Sequence, residues 1–206
     1  MIVRHRYPQM EVSAFQKTKA GESCCGDSYF VTETEDYFLC ALADGLGSGT
    51  AANEASDRAV SVIRESHHEE VGTLMRACNR ELRASRGAVL SIFKILFGAR
   101  KLIFSGVGNV RFVFYPPREK SVFPVPAVGF LSGRPLVPRV QTFSFQEGTS
   151  FMIHSDGLAM NTASRAAFSD RTSPEEASSK VRQMAEEQDL HDDATFLFGR
   201  NNTAMR

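Results

Sequence analysis

The sequence predicts an α+β fold, in which antiparallel sheet carries helices packed on its outer faces. Three observations lead there. Short apolar runs with strand character fill the first 45 residues, return between residues 88 and 154, and close the chain near residue 199. Between residues 50 and 82 the apolar period switches to that of a helix. A well-formed helix start, Ser173-Pro174-Glu175-Glu176, stands just ahead of the last apolar run.

In chain order, Ile2-Val3, Val12 to Lys17 and Tyr29 to Thr32 read as strands. The polar turn Glu33-Thr34-Glu35-Asp36 makes the last of these a hairpin with Tyr37 to Ala43. After the glycine turn Gly45 to Gly49, Ala52, Ala55, Ala59, Val62 and Ile63 share one helical face. Val71, Leu74, Met75, Cys78 and Leu82 share another, so two core-facing helices follow the turn. Alternation returns in Ala88 to Phe97, Leu102 to Val107 and Val110 to Tyr115. Pro116 to Pro138 holds most of the eight prolines and is expected as irregular loop. Thr142 to Phe145 and Ser150 to His154 are two more strands. Ser173 then caps a helix with Pro174 in its first turn and Glu176 completing a capping box, running to about Gln188. Ala194 to Gly199 is the last strand, and Arg200 to Arg206 is expected to fray. One domain over residues 1–200 with a disordered tail at 201–206 follows.

Composition narrows the function classes. Lys+Arg and Asp+Glu are balanced at 24 each, so no basic face argues for nucleic acid or a membrane surface. The longest apolar stretch, Gly87 to Gly98, is broken by Ser91 and Lys94 and is too short to span a bilayer. Met1 to Pro8 lacks the apolar core of a secretory signal. The four cysteines form no Cys-x-x-Cys pair and no zinc spacing, which reads as reduced thiols and a cytoplasmic protein.

Chemistry enters at the strand ends. The runs Cys40 to Ala43 and Phe151 to Ser155 each end in an Asp-Gly pair, Asp44-Gly45 and Asp156-Gly157. Asp192-Asp193 directly precedes Ala194 to Phe198, and Gly26-Asp27-Ser28 precedes Tyr29 to Thr32. A lone Asp-Gly marks only a turn. Four carboxylate-bearing edges together supply the hard oxygen ligands that suit Mg²⁺ or Mn²⁺. Gly45-x-Gly47-x-Gly49 lacks the spacing and the Lys of a P-loop, so it does not read as a nucleotide site. Phosphate-ester hydrolysis fits better, because two divalent ions about 4 Å apart can lower the pKa of a shared water and hold phosphoryl oxygens. Asp44 is the natural bridging ligand, and Gly45, with no side chain, leaves its carbonyl accessible. Asp156, Asp192 and Asp27 supply ligands from three other strand edges.

These motifs come in a specific order. Gly26-Asp27-Ser28-Tyr29-Phe30, Ala43 to Gly49, Ser105-Gly106-Val107-Gly108-Asn109, His154 to Leu158 and Asp192-Asp193-Ala194-Thr195 resemble the metal-dependent protein phosphatase (PPM) family. Within it they are most similar to the bacterial sporulation and stress-response, SpoIIE-like branch. The resemblance spans roughly Gly21 to Gly199 and implies an antiparallel β-sandwich flanked by helices in an α-β-β-α arrangement, with two Mn²⁺ or Mg²⁺ at one edge. It implies Asp44 bridging both ions, the Gly45 carbonyl on one, Asp156 and Asp192 on the other, and Asp27 ligating or orienting water. It further implies a monomeric serine/threonine phosphatase acting on phosphorylated stressosome proteins, RsbR/RsbS-like with STAS domains, and so resetting a stress response. The alternative is a catalytically inactive pseudophosphatase that only binds such partners. Missing carboxylates would mark it, and none of the expected ones is missing.

The chain departs from the family pattern twice. Leu46 stands where many members carry a His two residues after the bridging Asp, and no Arg lies between Gly21 and Asp27 to hold phosphate. Arg111 and Arg134 are expected as solvated side chains. His154 shares a strand face with Asp156 but reads as a packed or hydrogen-bonded histidine. Asn109 and Ser105 are expected to serve a turn, and His67-His68 a solvated helix end.

Overall fold

The computed structural model describes residues 1–160, 167–187 and 191–202. The N-terminal strands β1 (Ile2–Arg6) and β2 (Met10–Lys17) are followed by the hairpin β3 (Asp27–Glu33) and β4 (Tyr37–Gly45). Helices α1 (Thr50–Ser66) and α2 (Val71–Glu81) come next, then β5 (Ala88–Leu96), β6 (Lys101–Val107) and β7 (Arg111–Tyr115). β8 (Val140–Ser144), β9 (Ser150–His154), α3 (Pro174–Glu187) and β10 (Ala194–Asn201) complete the order. The strands form two antiparallel five-stranded sheets, β1-β2-β10-β9-β7 and β3-β4-β5-β6-β8.

Side-chain alternation explains the layering. On β4, Phe38, Cys40 and Leu42 point between the sheets, while Leu39, Ala41 and Ala43 point at α1 and α2. A strand apolar on both faces has to be covered on both, and β4 and its neighbour β5 are buried along nearly their whole length. On β10, Leu197 enters the space between the sheets, while Phe196 and Phe198 face α3. The result is α-β-β-α, a sandwich with α1 and α2 on one outer face and α3 on the other. Its centre is aromatic. Phe93 lies 4.4 Å from Phe112 and 4.7 Å from Phe151, ring centre to ring centre, and Phe104 stacks on Phe112 at 5.2 Å.

The predicted cap of α3 is present: the Glu176 N–H donates to Ser173 Oγ at 3.1 Å, and the Glu176 carboxylate accepts back from the Ser173 backbone. The expected end of that helix, Gln188, lies outside the described residues. The expected fraying from Arg200 needs correction. Arg200 and Asn201 belong to β10, and Asn201 is buried, its side chain donating to Gln9 O and accepting from the Gly148 N–H. These bonds give the strand end internal partners in place of water, which is why it stays paired. Residues 203–206 lie outside the described part. Residues 116–138 form a loop as expected, yet three isolated bridges (Phe114↔Val122, Val107↔Ala127 and Ala88↔Leu131) stitch it along one edge of the sandwich. Among the described residues no helix is long and apolar enough to cross a membrane.

Candidate metal centre and active-site cleft

Both sheets deliver carboxylates to the same end of the sandwich. Asp27 opens β3 and pairs in register with Asp44 near the end of β4. From the other sheet, Asp156 follows β9 by two residues and Asp192 precedes β10 by two. Asp44, Gly45, Asp156 and Asp192 line one open cleft of about 750 Å³, and Asp27 lies buried behind it. The structure therefore brings all five sequence-predicted residues to one region.

Two glycines make this approach possible. A Cβ on Gly45 would fall 1.9 Å from the Ala52 carbonyl oxygen, because α1 passes directly over the strand end. A Cβ on Gly157 would fall 2.0 Å from the Asp193 carbonyl oxygen, because the turn after β9 lies on the Asp192-Asp193 backbone. Each Asp-Gly pair thus presents an acid and permits a backbone contact.

The electrostatics are lopsided. Burial pushes Asp27 up to about 7, even though the Ser155 and Thr195 hydroxyls act to lower it. Its Oδ2 accepts from Ser155 Oγ at 2.7 Å, while its Oδ1 is buried with no hydrogen-bond partner. Asp44 is pushed up to about 8 by burial first, and then by the negative charges of Asp27, Asp156, Asp192 and Asp193. No ion pair among the described residues engages these carboxylates. Among the described residues the cations lining the cleft are Lys19 and Arg111, and neither forms an ion pair there.

Asp193, adjacent to Asp192, does different work. It is buried, and its two oxygens accept from the Lys19 N–H at 2.9 Å and the Gly26 N–H at 2.8 Å. One carboxylate therefore closes the 19–26 loop at both ends, fixing Lys19 and the approach to Asp27. Glu22, within that loop, accepts from Ser48 Oγ at 2.8 Å and so ties it to the glycine turn.

Sequence reasoning missed Lys19, Asp193 and the full role of Asn109. Asn109 does sit in the turn between β6 and β7, but its Nδ2 also donates to Asp156 Oδ2 at 2.5 Å. Lys19 stands two residues upstream of the window where an Arg was sought, and no spacing rule pointed to it. Arg111 lines the cleft, whereas Arg134 does not and is tied to the fold by its carbonyl, which accepts from Asn79 Nδ2 at 2.7 Å. His154 is buried, with Nδ1 2.8 Å from Ser155 O, as expected of a packed histidine. His67 and His68 do stand at the end of α1, but His67 is only partly solvated, its Nδ1 2.7 Å from the Tyr37 hydroxyl among aromatic rings. Leu46 packs against the core and lines the cleft, bringing no proton donor.

A helix-flanked double sheet brings acids from both sheets to one edge, and the likeness to known proteins makes this chain a phosphoprotein phosphatase. The sequence profile of the family described as Stage II sporulation protein E (SpoIIE) matches residues 34–201, and the chain belongs to that family. It is 35% identical over 199 residues to phosphoserine phosphatase RsbX of Bacillus subtilis (strain 168), covering 97% of this chain and 98% of that one. A crystal structure of RsbX in complex with magnesium superposes with a TM-score of 0.91 at 34% identity, covering 98% of this chain and 100% of the other. A chain solved in work on the bacterial stressosome, "a modular system that has been adapted to control secondary messenger signaling", matches with a TM-score of 0.81 at 28% identity. That match covers 93% of this chain and 100% of the other.

Proposed function

We propose that this chain hydrolyses phosphoserine and phosphothreonine on phosphorylated STAS-domain stressosome proteins, using a centre of two Mn²⁺ or Mg²⁺ ions, and so resets a stress-response pathway. The observation that carries the reading is the uncompensated cluster of Asp27, Asp44, Asp156 and Asp192 around one cleft. The likeness to RsbX, a phosphoserine phosphatase, and to the stressosome-associated chain supports the substrate class.

The residues fit divalent ions. A buried, unpartnered Asp27 Oδ1 and an Asp44 raised by burial and then by four neighbouring acids suit a site that takes a divalent cation. Among the described residues no three acid, thiol or imidazole groups converge as a ready-made coordination shell. Mg²⁺ does not need one, since it retains several waters and takes only one or two carboxylates directly. Asp44, Gly45, Asp156, Asp192 and Asp27 would hold the ions, directly or through their waters.

When bound, such ions lower the pKa of water and draw charge from phosphoryl oxygens. The chain's own residues do the rest. Lys19 and Arg111 bring positive charge to the cleft for the phosphate dianion. Asn109 holds the Asp156 carboxylate in orientation, and Ser155 does the same for Asp27. Ser155 Oγ also accepts from the Thr195 N–H at 2.9 Å, so the orienting hydroxyl is itself fixed. Asp44→Asn keeps the shape but removes the bridging charge. Several kcal/mol of transition-state stabilisation go with it, so phosphate release should fall by about 10³-fold or more. A folded Asp44→Asn protein with wild-type turnover would refute the assignment.

A further inference from the structure

Beside the catalytic cleft lies a second cavity of about 300 Å³ that the proposed chemistry does not use. Val125 and Pro126 form the wall between the two, and Arg111 lines both. Beyond that wall Val113 and Met152 lie inside and Phe123 on the rim, and apart from Arg111 and the packed His154 the lining side chains are apolar. Phe123 is 53% exposed and Val125 56%, an unusual amount of large apolar surface for one loop to leave in water.

The rim is held in place. Val122 exchanges backbone hydrogen bonds with Phe114, Gln141 Nε2 donates to the Val125 carbonyl at 2.9 Å, and the Ala127 N–H donates to Gly106 O at 2.8 Å. Pro124 and Pro126 restrict the loop further. An apolar rim already ordered before binding loses little entropy when something covers it.

Resting on the phosphatase reading, we propose that this cavity is a specificity subsite that takes a bulky apolar side chain two residues from the phosphoserine of the protein substrate. Arg111 fixes the register. It faces the phosphate side, and Val113, inside the apolar cavity, is two residues further along β7 on the same strand face. Two residues of extended chain span about 7 Å, the spacing at which a bound extended peptide presents its own next same-side residue. The subsite thus continues the catalytic cleft, with charge at the phosphate end and apolar surface at the other. An acidic side chain placed there would be desolvated beside an Arg111 that the phosphate already engages and a His154 whose Nδ1 is taken by the Ser155 carbonyl.

The test uses the whole protein with Mn²⁺ and three substrates: p-nitrophenyl phosphate and two phosphoserine peptides. The peptides carry Leu or Asp two residues to either side of the phosphoserine and are otherwise identical. The Leu peptide should have a kcat/KM about tenfold or more above the Asp peptide, mostly through KM. Phe123→Asp should erase that preference and Phe123→Leu retain it, with p-nitrophenyl phosphate turnover unchanged in both. Equal kcat/KM for the two peptides overturns the subsite, as does a preference that survives Phe123→Asp. Turnover of p-nitrophenyl phosphate with neither peptide cleaved overturns it as well. Concentration-dependent self-association that Phe123→Asp abolishes, with peptide preference intact, would assign the patch to a second copy of this chain and overturn the proposal. No p-nitrophenyl phosphate turnover with metal supplied would instead defeat the phosphatase reading, and the subsite with it.

Discussion

At Asp192-Asp193 two adjacent carboxylates face different surroundings. Asp192 is open to the cleft, while Asp193 accepts two backbone N–H groups in the interior. The sequence shows the pair but not this division, because a buried acceptor and an exposed ligand are written with the same letter. Asp193→Asn would turn one acceptor oxygen into an NH₂ facing a backbone N–H. Loss of one charge-assisted bond predicts destabilisation of roughly 1.5–3 kcal/mol by urea denaturation, and an unchanged midpoint would dismiss the clamp. Asp27 and Asp44 give a pH signature. Both are raised above their usual 3.8, to about 7 and about 8. Each binds its proton more tightly folded than unfolded, so its stabilising contribution is complete below about pH 4 and is lost as pH rises through 7 and 8. In chelator, the thermal midpoint of Asp44→Asn should therefore fall less between about pH 5 and pH 8 than that of the native protein. Parallel curves would show that Asp44 is not the strained acid.

Among the elements, α1 is the one that meets the centre directly, through the Ala52 carbonyl over Gly45. Its existence was plain from the alanine-rich stripe that begins at Ala52, and that of α3 from its capping box. Both signals are local, set by neighbours three or four residues apart. The close approach of Ala52 to Gly45 was not legible, because that one contact is between backbones and leaves no apolar pattern. Gly45→Ala must move one element from the other. It should cost about 1–3 kcal/mol by chemical denaturation, together with most of the metal-dependent turnover. Retention of both would mean that the strand end tolerates a shift. The far end of β10 was misread for a related reason: Asn201 looks like a tail residue in sequence, and only its partners Gln9 and Gly148, distant along the chain, hold it in place.

For the molecule as a whole, the order of the acid-bearing motifs carried more information than any one of them. Asp27 and Asp44 come from one sheet, Asp156 and Asp192 from the other, and only a sandwich closed face to face brings them together. Periodicity predicted the strands and the outer helices. The pairing of β2 with β10, across almost the full length of the chain, was not predicted, because periodicity reads only near neighbours. Lys19 was hidden and Arg111 read as solvated, because a long basic side chain reads as solvated surface wherever it falls. The central claim is that this edge is a divalent-metal phosphatase centre for phosphorylated stressosome proteins. The direct measurement is phosphate release from a phosphoserine-bearing STAS-domain stressosome protein, with Mn²⁺ and again after chelation. Release that requires Mn²⁺ and stops on chelation is the predicted result. Folded protein that binds the phosphoprotein but releases no phosphate with Mn²⁺ present would contradict the claim and identify a binding module.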